Sequence, residues 1–359
     1  MQILAEWFKK YLSDPGVLFL ALFLVIGFAV VITMGNMLAP VLASVVIAYL
    51  LEGVVNLIER RKIPRFPAVL LVFTVFMVFL TVILLVLMPQ LSRQVTQLFQ
   101  QIPLMITEGQ ALLMRLPERY PEIISTAQVQ EIIGVIRQEI AEFGQRVVSL
   151  SLASVVGIIT ILVYLILMPL LVFFFLKDKS LIIDWVLKLL PKDRKFADTV
   201  WRDVDRQIAN YVRGKFWEIV IVWAASFITF TFMGLQYAVL LGVLVGLSVI
   251  IPYIGAAVVT FPVILIAWFQ WGWGADFIWL SVAYFIIQAL DGNVLVPLLF
   301  SEVVNLHPVA IIVAILVFGG LWGFWGVFFA IPLATLVQAV LSAWPGRTPA
   351  EEDGLDEAG

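Results

Sequence analysis

An all-α polytopic membrane protein is the fold class this sequence predicts, with about eight hydrophobic segments, two of them interrupted, and a helical extracytoplasmic loop. Three observations predict it. Hydrophobic residues fill 62% of 359 positions against 13% charged, where soluble chains are about a quarter charged. Residues 216–345 hold no lysine or arginine, and their only acids are Glu218, Asp276, Asp291 and Glu302. Apolar runs close to the roughly 20 residues that cross a bilayer as a helix recur along the chain.

Lys9 and Lys10 precede the first apolar run, and no small-residue cleavage pattern follows it, so the N-terminus reads as a transmembrane helix rather than a signal peptide. Simple spans are expected over 17–34, 37–58, 66–88, 154–176, 216–235 and 276–300. Of the 22 Lys and Arg, 17 fall on one side if these helices alternate: Lys9, Lys10, the turn from Arg60 to Arg65, ten between Lys177 and Lys215, and Arg347. Positive-inside bias then makes that side, and both termini, cytoplasmic. The net charge of −3 carries no such information, because orientation follows the placement of basic residues.

The chain divides into 1–88 (three helices), 89–153 (extracytoplasmic loop), 154–176 (fourth helix), 177–215 (basic cytoplasmic loop), 216–345 (transport core) and 346–359 (an acidic tail expected to be disordered). In the outer loop Val129, Ile132, Ile133, Ile136, Ile140, Phe143 and Val147 recur at helical spacing, while Pro103, Pro117 and Pro121 divide the earlier part into shorter helices. The inner loop reads as helices over 180–190 and 193–212, broken at Pro191. Leu181 and Trp185 there suit a headgroup surface.

Two apolar segments are too long for one crossing. Residues 238–271 and 308–344 number 34 and 37, or about 50–55 Å as straight helices against a hydrocarbon core of about 30 Å. The first is broken at Ile251-Pro252-Tyr253-Ile254-Gly255, the second across Gly319, Gly320, Gly323 and Gly326. Proline lacks an amide and glycine frees the dihedrals, so helical bonding is expected to fail at both places. Freed backbone at membrane depth requires burial or a watery cavity, and paired interruptions of this kind point to a transporter's site. Gly255 precedes Pro262 as Gly326 precedes Pro332. Two opposed re-entrant hairpins or two broken spans both fit; the lengths favour hairpins. Gly242-x-x-x-Gly246 and Gly319-x-x-x-Gly323 also fit plain small-residue helix contacts.

Among the few charges, Asp291 falls fifteen residues into its span, where an ionised carboxylate would be desolvated and would take a proton or cation. Gly292 and Pro297 should weaken the helix around it, freeing carbonyls beside Asn293. Glu302 and Asn305 read as a polar turn, with Glu302 a weaker site candidate. Glu218 is three residues from Lys215, the spacing of an interfacial ion pair. Glu52 is near enough to Arg60–Lys62 to reach them. His307 is the only histidine and there is no cysteine, so no metal, disulfide or cofactor is expected. No phosphate-binding G-x-x-x-x-G-K-[ST] loop, H-E-x-x-H or G-x-S-x-G occurs, which argues against an enzyme. The expected partners are a small molecule or ion and the bilayer, not nucleic acid.

The stretches Ile251–Gly255, Asp291–Pro297, Asn305-Leu306-His307-Pro308, Gly319–Pro332 and Phe173–Asp178 together resemble the autoinducer-2 exporter family of bacterial permeases, most nearly its PerM-type branch. The resemblance covers roughly 15–345. It implies an inner-membrane protein with about eight hydrophobic segments, associated in some members with autoinducer-2 export and in others with sodium (lithium)/proton antiport. It also implies homo-oligomers, pentamers foremost, and an elevator-like movement. The resulting expectation is a secondary-active exporter of a small polar solute. Pro252, Tyr253 and Gly255 form one tip, Gly319, Gly320, Gly323 and Gly326 the other, and Asp291 and Asn293 supply polar ligands. A cation/proton antiporter and a non-transporting membrane scaffold are the rivals.

Overall fold

The computed structural model describes residues 15–115, 117, 125–131, 133–135, 137, 138, 142, 154–188, 195–252, 254–300 and 306–343. Every extended element among them is helical. Helix α1 runs Pro15–Glu59, α2 Arg65–Val82, α3 Met88–Met114, α4 Ser154–Lys177, α5 Lys179–Lys188 and α6 Lys195–Phe232. Then follow α7 Ala238–Ser248, α8 Ile254–Trp271, α9 Ala275–Leu290, α10 Val296–Phe300, α11 Pro308–Phe328 and α12 Ala330–Ala343. One π-turn, Ile83–Leu87, joins α2 to α3, and a second, Asp291–Leu295, joins α9 to α10. Among the described residues, six stretches are long and apolar enough to cross a membrane: Met37–Glu59, Arg65–Met114, Asp205–Phe232, Ile254–Trp271, Ala275–Phe300 and Pro308–Phe328. Large apolar side chains such as Phe232 (88% exposed) and Leu298 (73% exposed) point outward along them, an arrangement suited to lipid.

Three expected boundaries are absent. No turn separates 17–34 from 37–58, because Gly35-Asn36 carries no proline and neither residue takes a left-handed backbone. One 45-residue helix results, about 67 Å long. Pro103 does not divide the next segment: Pro89 sits in the first turn of α3, where an amide is dispensable, and the helix continues to Met114. The inner helix and the fifth span are likewise one rod, α6, because the only weak residue between them, Gly214, is pinned under Phe300; a Cβ there would lie 2.7 Å from the ring. In the outer loop Val129 is buried, while Ile132, Ile136, Ile140, Phe143 and Val147 lie outside the described residues. Pro121, Pro191 and the 346–359 tail lie outside them too.

The first helices form one unit. Val55 of α1, Ala68, Val69 and Val72 of α2, and Val172 and Leu176 of α4 are buried together. Ser44 bridges two of these helices, donating to the carbonyls of Pro40 (2.6 Å) and Met168 (3.2 Å). At the basic turn Arg65 pairs with Glu52 at 3.1 Å and donates to Leu176 O at 2.7 Å, and Lys179 joins Glu52 at 3.3 Å. Glu52 therefore pairs with Arg65 and Lys179, not with Arg60–Lys62; the sequence neighbour across the turn is displaced by the helix neighbours in space.

The second unit is built on α6. Helix α7 lies against it with glycines at the contact: a Cβ at Gly242 would be 3.0 Å from Phe227 Cβ, and one at Gly246 2.6 Å from Trp223 Cβ. Helix α8 then returns beside α7. Gln270 accepts from Gln236 N and donates to Gly234 O, both at 2.8 Å, so the two ends of the 238–271 segment meet. Leu241, Val245, Val263, Ile266, Leu280 and Tyr284 fill the core between α7, α8 and α9. Helix α3 closes the open end of this hairpin. Leu91, Leu98 and Met105 pack on the same core, and Gln94 accepts from Leu240 N at 2.8 Å, satisfying an orphan amide in the first turn of α7.

Candidate transport site

Both interrupted segments fold back, and both use the same device. After α7, Ile251 N and Ile250 N bond back in tight turns to Ser248 O and Leu247 O, and Pro252 ends the helix. The returning chain crosses so close that a Cβ on Gly255 would sit 1.7 Å from Ser248 O. In α11 the backbone leaves the helix at Gly323 (φ +60°, ψ −136°), a conformation that favours glycine. The returning chain crosses at Gly326, where a Cβ would sit 1.8 Å from Phe318 O. Ala314, Ile315 and Ala330 then pack between its two arms.

Helix α6 holds both hairpins. Val249 lies just past the end of α7 and three residues before Pro252, which has no amide to give; Lys215 Nζ donates to its carbonyl at 2.7 Å. Phe328 is four residues before Pro332, which has no amide to give, and Tyr211 Oη donates to Phe328 O at 3.2 Å. Tyr211 and Lys215 are four apart, hence on one face of α6. Each takes up a carbonyl that a hairpin has left over. Removing the Tyr211 hydroxyl should strand a partly buried acceptor: Tyr211→Phe is expected to cost about 1 kcal/mol, read as a lowered Tm of the purified chain.

Lys215 also pairs with Glu218 at 2.7 Å, and the two side chains are 6% and 2% exposed. The expected pair is therefore formed and is desolvated by the protein, and it orients the ammonium toward Val249 O. Lys215 Nζ sits 5.3 Å from the Phe300 ring centroid, and Phe300 packs on Tyr211. Asp291 lies within electrostatic reach of both Lys215 and Glu218. Its Oδ1 is enclosed and accepts no hydrogen bond among the described residues. The cluster thus holds two carboxylates to one ammonium.

Around Asp291 the helix widens rather than unwinds. The π-turn Asp291–Leu295 absorbs Gly292 and delivers the chain to Pro297 with continuous bonding, a form common at functional sites. Asn293 Nδ2 donates to Ala289 O at 2.8 Å, so one of the carbonyls expected to be free is occupied. Gly292, Asn293, Pro297, Gly320 and Gly323 are exposed, while Asp291, Pro252 and Gly319 are half-buried. A Cβ on Gly319 would meet Val327, but Gly323 has nothing within 4 Å: the pair is a hairpin contact plus a turn, not a helix–helix motif. Tyr253, Glu302 and Asn305 lie outside the described residues. His307 caps α11, its Nδ1 accepting from Val309 N at 3.3 Å. Sequence reasoning missed Tyr211 and underread Lys215. The signal was present: Lys215 is the last Lys or Arg before Arg347.

Membrane-length helices carrying two folded-back segments, gathered on one rod around a buried charge cluster, define a multi-pass membrane protein of transport type. Residues 18–346 match the AI-2E family transporter description, and the chain belongs to that family. It is 45% identical over 352 residues to PerM of Escherichia coli (strain K12), named as a permease, across 98% of this chain and 100% of that protein. YueF of Bacillus subtilis (strain 168), named as a transport protein, is 28% identical over 314 residues, 86% of this chain and 84% of its own. YrrI of the same organism, also named as a transport protein, is 29% identical over 306 residues, 84% of this chain and 85% of its own.

Proposed function

We propose that this chain is a secondary-active exporter of a small polar solute across the bacterial inner membrane, with its solute site between the two hairpin tips and Asp291. The carrying observation is that Lys215 and Tyr211, on one face of α6, each hold a carbonyl left over by a hairpin. A site bordered by two breakable contacts can open toward either side in turn, which is what alternating access requires. On this reading both segments are re-entrant hairpins entering from opposite faces, both termini are cytoplasmic, and the chain works as a homo-oligomer, a pentamer by family likeness. Autoinducer-2 heads the candidate solutes on the same likeness.

A specific observation favours a second reading, monovalent cation (sodium or lithium)/proton antiport: the cluster has two carboxylates to one ammonium, and Asp291 Oδ1 has no donor among the described residues. Proteoliposomes loaded with a pH dye separate the two. Sodium-dependent proton flux that falls at least about ten-fold in Asp291→Asn, equivalent to about 1.4 kcal/mol, supports antiport. Solute export without such flux, lost in the same variant, supports the exporter. Flux and export both unchanged remove Asp291 from the mechanism. The scaffold rival predicts activity that survives tip disruption. Deleting 89–153 cannot test it, because α3 is itself part of the hairpin core; Gly326→Ala at a tip is compared with Arg137→Ala in the outer loop.

A further inference from the structure

We propose that one acyl chain of an anionic phospholipid fills the gap between the two helical units, as a bound structural lipid. Helix α1 packs on α6 through Val46, Tyr49 and Leu50, and beside that contact, between α2, α4 and α6, lies a cavity of about 800 Å³. That is within the roughly 300–1,000 Å³ of ligand-sized pockets. Its length fits one leaflet. The α1 wall runs from Val46 to Ile58 and the α2 wall from Leu71 to Ile83, each about 18 Å at 1.5 Å per residue, against about 15 Å for half a hydrocarbon core.

Its chemistry excludes a polar solute. The lining is apolar apart from Tyr164 and Lys215, and the Lys215 ammonium is already engaged by Glu218 and Val249 O. A polar molecule entering there would lose its hydrogen bonds to water, whereas an acyl chain has none to lose. The occupant is therefore not the transported solute, and the inference stands apart from the proposed transport site. Access is lateral: Val54, Leu71, Val75 and Phe79 line the cavity and are exposed, so it opens onto what surrounds a spanning helix pair.

The headgroup preference comes from the rim. Ile58 closes one end, and Arg61 N bonds directly to Ile58 O at 2.9 Å, so the basic turn sits on that end. Arg60, Arg61 and Lys62 are exposed there. Each cation near a membrane surface favours an anionic lipid by about five-fold. Phe328 also lines the cavity, which places the chain against the hairpin that Tyr211 holds.

The test uses the full-length chain purified in mild detergent, with phosphatidylglycerol or phosphatidylcholine added back and bound lipid counted by native mass spectrometry. One retained phosphatidylglycerol per chain is expected. Val75→Trp and Val54→Trp, which fill the gap from opposite walls, should each lower retention about ten-fold. The triple change Arg60→Ala, Arg61→Ala, Lys62→Ala should keep lipid in the cavity but erase a headgroup preference of up to about hundred-fold. If a tryptophan variant does not fold, the unmodified chain decides alone: phosphatidylglycerol must raise its Tm more than phosphatidylcholine does. Equal effects of the two lipids, retention unchanged by both tryptophans, or cross-linking of cysteines at Val54 and Val75 to a second copy would each overturn the proposal.

Discussion

Gly255→Ala and Gly326→Ala are expected to abolish transport and to destabilise the fold more than alanine at any other described glycine. At both positions the new carbon would fall on a backbone carbonyl oxygen, 1.7 Å from Ser248 and 1.8 Å from Phe318. A flexible side chain could swing aside; a carbonyl within a helix can move only if the helix does. Overpacking ordinarily costs about 1–3 kcal/mol, and these two sites should lie at or above the top of that range. Thermal unfolding of each variant, beside Gly320→Ala and Gly292→Ala, supplies the check. The latter two have nothing within 4 Å and should fall within about 1 kcal/mol of wild type, since glycine to alanine in an open helical site is mildly favourable. Similar losses at all four positions would mean that the crossings are not close.

The second large effect is expected at Lys215. Lys215→Met leaves Glu218 buried without its cation and Val249 O without a donor, a loss of about 3–5 kcal/mol for the broken pair alone. The double variant Lys215→Met, Glu218→Gln removes both charges and should recover most of that stability, because replacing a whole buried pair is often near neutral. Transport should not recover with it, since the tether from α6 to the first hairpin is still missing. Tm and transport rate therefore part company in the double variant. If they return together, Lys215 is a packing residue and the tether plays no part.

Which features could be read from the chain follows from the range of the forces involved. The breaks at Pro252 and Gly323 were legible because proline and glycine act on their own backbone. Asp291 stood out because a carboxylate fifteen residues into a span is conspicuous anywhere. The continuity of α1 and α6 was not legible: polar or glycine-containing joints such as Gly35-Asn36 and Gly214 look like turns until a packing partner, Phe300 in the second case, is known. The pairing of Glu52 with Arg65 and Lys179 spans up to 127 residues of sequence, and the use of Tyr211 by Phe328 O spans 117. Contacts of that separation leave no local trace. The identity of the acceptors did leave one, since Pro332 announces that Phe328 O has no helical donor.

A single cysteine placed in this cysteine-free chain gives the most direct measurement of whether a wet cavity exists between the hairpins. Gly255 leaves no room for a side chain, so the informative positions are Asn293 and Gly320, both exposed, the second with nothing within 4 Å. A charged, membrane-impermeant thiol reagent should label Asn293→Cys and Gly320→Cys in sealed vesicles from one face, and candidate solute or sodium should slow the reaction. Labelling of neither residue by the charged reagent, with both reacting readily with a lipid-soluble one, would place these positions in hydrocarbon and leave the proposed transport site without water to serve it.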